Sequence, residues 1–120
     1  MPTRMVGPGQ QKTLQDAATT GNGDVVCPSP SIKYHTFYVR GNGTIGAGAI
    51  TFETASDPDY AGTWAALPDY TDPTNNDNPT TVTSSAEKIY TVIGQFIALR
   101  ARISTTVTTT TVTVKYQGGM

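Results

Sequence analysis

Residues 95–105 read QFIALRARIST, and no other stretch of the chain restricts its fold so tightly. In an extended conformation Ile97, Leu99, Ala101 and Ile103 share one face, while Arg100 and Arg102 stand on the other. A one-residue slip would bury both guanidinium groups, so the register is fixed by the cost of desolvating them. The segment is therefore a strand with one face on a core. Its neighbours must carry the same alternation.

They do. Residues 48–54 (GAITFET) set Ile50 and Phe52 against Thr51 and Glu53, and residues 32–40 (IKYHTFYVR) are β-branched and aromatic. Residues 88–93 (KIYTVI) supply another strand, and near the C-terminus Val112, Val114 and Tyr116 face inward with Thr113 and Lys115 outward. Between these runs lie turn residues: Gly21, Asn22 and Gly23; Pro28 and Pro30; Gly41, Asn42, Gly43 and Thr44. Only 37% of residues are hydrophobic and 14% charged; Thr, Gly, Asn, Ser and Pro make up the difference, which favours strands and turns over helices. The expected fold is all-β: a single antiparallel β-sandwich, jelly-roll or immunoglobulin-like. Its expected core is Val25, Phe37, Val39, Ile50, Phe52, Trp64, Leu67, Ile97, Leu99, Ile103, Val112 and Val114.

Residues 1–12, rich in Gly, Pro and Gln and without periodicity, read as an extended N-terminal arm; residues 13–120 form the sandwich domain. The arm either stays disordered or lies on a neighbouring molecule. Residues 69–79 (DYTDPTNNDNP) are the longest loop.

Several function classes lack residues to support them. A net charge of −1 with scattered Lys and Arg gives no basic stripe for nucleic acid. No apolar run approaches the ~20 residues that span a bilayer, and the N-terminus has no secretory h-region. Lone Cys27 makes neither an intrachain disulfide nor a cysteine metal cluster, which suits folding in a reducing cytosol. His35 is the only histidine and has no evident nucleophile beside it, so no catalytic residue can be named and no enzyme is expected. The acids Asp57 and Asp59, and Asp69, Asp72 and Asp77, fall in two loops with no calcium-loop spacing and read as turn residues. No metal or cofactor is implied.

Two groups invite a binding role. Trp64, with Tyr60 and Tyr70, would make a glycan-stacking platform if exposed, or Trp64 would plug the space between the sheets. Arg100 and Arg102 either pair across the sheet with Glu53 or face an acidic neighbour.

Four stretches carry a family likeness: LQDAATTGNGDVV from Leu14, KYHTFYVRGNG, ITFETASDPDYAGTWAALP, and ALRARISTTVTTTTVTVKY. Their order, spanning residues 14–116, resembles the small β-sandwich domains of bacteriophage virions: capsid decoration or cement proteins and baseplate or fibre domains. The resemblance implies a structural protein on the capsid surface, assembled as a homotrimer and bound to the major capsid protein of its particle. With the arm in mind, the expected contacts are Arg4, Met5 and Val6, then Arg100 and Arg102. The alternatives are a carbohydrate- or receptor-binding module of a tail or fibre, through Tyr60, Trp64 and Tyr70, and a head–tail connector subunit. A chain ending at Gln117, Gly118, Gly119 and Met120 fits decoration better than a longer fibre.

Overall fold

The computed structural model describes residues 5–67, 80–82 and 85–120, and these contain strands and turns with no helix. The strands are β1 (Met5–Val6), β2 (Gln11–Ala18), β3 (Cys27–Pro28), β4 (Tyr34–Gly41), β5 (Ala49–Ala55), β6 (Ala65–Ala66), β7 (Thr80–Thr81), β8 (Lys88–Ile93), β9 (Ala98–Thr105) and β10 (Val112–Gly119). Two antiparallel sheets pack as a β-sandwich. One runs β2-β10-β4-β8; the other is built on β5, with β9 along one side and short β6 and β7 along the other. β1 and β3 make a small parallel pair beside them.

The core lies where the alternation of the sequence put it. Phe37 and Val39 of β4, Val112, Val114 and Tyr116 of β10, and Tyr90 and Val92 of β8 meet Ile50 and Phe52 of β5 and Leu99, Ala101 and Ile103 of β9. Phe37 stacks on Phe52 with centroids 4.4 Å apart and planes 25° apart, so the two sheets touch through aromatic faces. The chain passes between sheets after β2. There Ala17 takes φ 49°, and the following residues bridge to β9 through the pairs Gly21–Ile103 and Val26–Leu99. Gly23 makes that passage sterically feasible: with φ +70°, a Cβ would sit 2.3 Å from the Leu14 carbonyl oxygen.

Three core expectations need correction. Val26, not Val25, is the buried valine, because its N–H and C=O pair with Leu99 and turn its side chain inward. Ile97 is exposed: β9 starts only at Ala98, and residues 94–97 form a loop tied by Gly94 N–H to the Lys33 carbonyl and by Gln95 Nε2 to the Pro30 carbonyl. Trp64 is buried but stands outside the inter-sheet cluster, on the outer face of the second sheet. The described part of the N-terminal arm lies along the domain. Val6 is in the core cluster, Val6 C=O accepts from Ser29 N–H at 2.9 Å, and Gln11 and Lys12 already pair with β10.

Candidate functional site

The outer face of the second sheet gathers most of the candidate residues that the structure describes. Strand pairing sets Glu53 of β5 opposite Arg100 of β9, with Thr51 opposite Arg102 one step along. Because all of these point away from the core, the Glu53 carboxylate takes a hydrogen bond from each arginine: Arg100 Nε at 2.8 Å and Arg102 Nε at 3.0 Å. The Arg100 side chain is 12% exposed and that of Arg102 is 37%, so the first ion pair is nearly enclosed and the second reaches solvent. The expected internal pairing with Glu53 is therefore the arrangement found.

Trp64 completes the cluster. The Arg100 guanidinium lies 4.3 Å from its ring centroid, a cation–π contact, and Trp64 Nε1 donates to the Tyr60 carbonyl at 2.9 Å. The ring is thus covered and offers no open face to a sugar. Tyr60 itself is half exposed, at the end of a turn in which Asp59 N–H donates to Asp57 Oδ1 at 2.9 Å and Tyr60 N–H to the Asp57 carbonyl at 3.1 Å. Asp57 works as a turn residue. Arg4, Tyr70, Asp69, Asp72 and Asp77 lie outside the described residues. Met5 and Val6 pair with Cys27 and Pro28 of β3, and Val6 is buried.

Two features were not anticipated from sequence. The first is a mostly apolar cleft of about 480 Å³ lined by Cys27, Pro28, Pro30, Pro58, Gln95, Phe96 and Ile97. Pro28 at the end of β3, Pro30 in the turn after it, Pro58 from a separate turn and the displaced Ile97 meet there, a convergence that no local pattern encodes. Burial pushes the Cys27 thiol up, away from the reactive thiolate; Lys12 partly opposes this, and Asp59 and Asp57 reinforce it.

The second is a buried polar chain. His35 is fully enclosed, with Nε2 2.7 Å from the Gly94 carbonyl and Nδ1 2.7 Å from Tyr116 Oη. A carbonyl only accepts, so Nε2 carries the proton and Nδ1 accepts from the Tyr116 hydroxyl. Desolvation lowers the His35 pKa, with the Gly94 hydrogen bond partly opposing it, and burial raises that of Tyr116. Both groups stay neutral and act as structural hydrogen-bonding groups. Among the described residues, no three His, Cys, Asp or Glu side chains gather in a way that could hold a metal ion.

No protein-family model matches the chain, and no curated protein does. Among solved structures it is similar to the crystal structure of SPBc2 prophage-derived protein YomS, with a TM-score of 0.67 and 20% identity over 89% of this chain and 88% of that one. The two chains share a fold over most of their lengths, although four aligned residues in five differ.

Proposed function

We propose that this chain is a bacteriophage virion structural protein that binds the outer face of the capsid shell as a decoration or cement protein. The observation that carries the reading is the fold likeness to a prophage-derived protein over nearly the whole of both chains. The virion-domain pattern across residues 14–116 points the same way. Contact with the shell is geometric. Each subunit contributes a modest surface, and assembly as a trimer raises the joint strength through effective concentration.

In this proposal residues 1–4, Arg4 among them, contact the shell, while Val6 is buried in the core cluster. Fixing the backbone of a contacting residue costs ~1–2 kcal/mol, which contacts with the major capsid protein must exceed. Arg100 and Arg102 are less suited to the contact, because Glu53 already engages both. Co-sedimentation with shells of the parent phage lacking the protein tests the reading. Wild-type chain is expected to pellet at saturating stoichiometry, and deletion of residues 1–4, which leaves β1 and β2 intact, to weaken attachment. A chain that stays in the supernatant at every concentration overturns the proposal.

A further inference from the structure

The edge of the first sheet formed by β8 differs from the opposite edge, formed by β2. It is the outermost strand of the order β2-β10-β4-β8 and pairs with β4 through successive residues with no register shift. The opposite edge, β2, is interrupted by register shifts against β10. Natural sheets blunt exposed edges with proline, bulges or charge. Residues 89–93 (IYTVI) contain none of these.

The side chains on the outward face strengthen the contrast. Ile89 is 42% exposed, Ile93 66%, and Tyr34 on the neighbouring strand 47%. Cross-strand pairing puts Tyr34 beside Ile93, Thr36 beside Thr91, and Tyr38 beside Ile89. Read along either strand, the outward face is a palindrome: Ile-Thr-Ile on β8 and Tyr-Thr-Tyr on β4. A two-fold axis beside Thr91 would therefore set Ile89 against Ile93 and Thr91 against Thr91 of a second copy.

Backbone geometry agrees with that axis. Gly94 N–H donates to the Lys33 carbonyl, so the alternation of an antiparallel ladder turns the main-chain groups of Lys88, Tyr90 and Val92 toward β4. Those of Ile89, Thr91 and Ile93 turn to the open edge. None of the turn, loop or inter-segment backbone hydrogen bonds among the described residues uses them.

We infer that β8 is a homotypic interface: two copies of this chain pair antiparallel, β8 to β8, about a two-fold axis at Thr91. Thr91 then faces Thr91 of the second copy, and Ile89 faces Ile93, in about six new main-chain hydrogen bonds. The outer face becomes a continuous apolar stripe in the order Tyr34, Ile93, Ile89, Tyr38 across four strands. On the inner side Tyr90 faces Val92, extending both cores. Like charges stay apart, since Lys88 falls opposite Gly94 and Glu87 opposite Gln95. The palindrome is what selects a second copy over an unrelated strand, because a foreign segment has no reason to match it. The inference concerns the isolated protein and stands whether or not the chain decorates a capsid; if the chain forms trimers, the contact joins them in pairs.

Sedimentation equilibrium and native mass of the purified chain test it, with two variants. Thr91→Pro deletes an outward N–H without touching the β4–β8 ladder, a place where an edge strand tolerates proline. Ile93→Lys sets an ammonium group against Ile89 of the second copy. The wild type is expected as an even-numbered species that dissociates on dilution, and either folded variant as a species of half that mass. Amide exchange at Ile89 in both variants, and at Thr91 in Ile93→Lys, should accelerate at least about tenfold as those hydrogen bonds open. A wild type that is monomeric or odd-numbered at about 1 mM overturns the inference. So does an unchanged mass in every variant that folds.

Discussion

Replacing Glu53 by glutamine tests how the outer face of the second sheet is held together, and the structure sets the size of the effect. The carboxylate is buried and bonded by both arginines, at 2.8 Å and 3.0 Å. Breaking a fully buried ion pair by removing one partner costs ~3–5 kcal/mol, whereas exposed pairs are worth ~0–1 kcal/mol. Arg102, more than a third exposed, belongs near the second limit, since it can turn to water when its partner is lost. Arg100 belongs near the first, but it keeps its contact with the Trp64 ring, worth ~0.5–2 kcal/mol, and one amide oxygen to bond. Glu53→Gln should therefore lose about 2–3 kcal/mol in urea unfolding, and Arg102→Ala less than about 1 kcal/mol. Trp64 is the only tryptophan, so its fluorescence reports the same locality during the transition. A loss below about 1 kcal/mol for Glu53→Gln, or an equal loss for Arg102→Ala, would refute the reasoning.

The enclosed His35 makes stability pH-dependent in a definite direction. Its folded pKa lies below the ordinary 6.5, so the unfolded chain takes up the proton first; this stabilising contribution is complete above about pH 6.5 and is lost as pH falls toward the folded value. Urea midpoints measured from pH 7.5 down to pH 5 should show the decline, and a folded His35→Gln variant should show a shallower one; equal slopes contradict the assignment. Gly118 faces inward on β10, where a Cβ would come within 2.8 Å of Ile32 Cδ1 and Tyr116 Oη. Gly118→Ala is expected to cost about 1–3 kcal/mol in the same assay, as overpacked cores do, whereas a neutral outcome would mean that Ile32 moves aside freely.

Long alternating runs made the sandwich and most of its core legible from sequence. Residues 98–105, 49–55 and 112–116 each repeat the two-residue period often enough to fix which face is buried. The Glu53–Arg100–Arg102 grouping was legible for the same reason: once faces are known, opposite charges on one outer face can be paired. Short segments gave no such redundancy. Two adjacent valines at 25 and 26 offer no phase until Leu99 is known to pair with Val26. Ile97 continues the period of its strand perfectly, yet the Gly94 and Gln95 hydrogen bonds hold the chain in a loop there. Trp64 misled through its chemistry. A lone tryptophan is expected between the sheets, but here a guanidinium on the outer face encloses it instead. The cleft at Cys27 and the His35–Tyr116 pair join residues far apart in sequence, which only the fold brings together. The β8 palindrome lay open in the sequence, but its meaning depends on β8 being an edge.

The most direct test of the functional proposal is electron cryomicroscopy of parent-phage shells with and without the chain. The account predicts additional density of about 37 × 30 × 23 Å per subunit standing on the outer shell surface, grouped at threefold positions, with its leading segment in contact with the major capsid protein. Density confined to the neck, tail or baseplate, or shells that are identical with and without the protein, would contradict it.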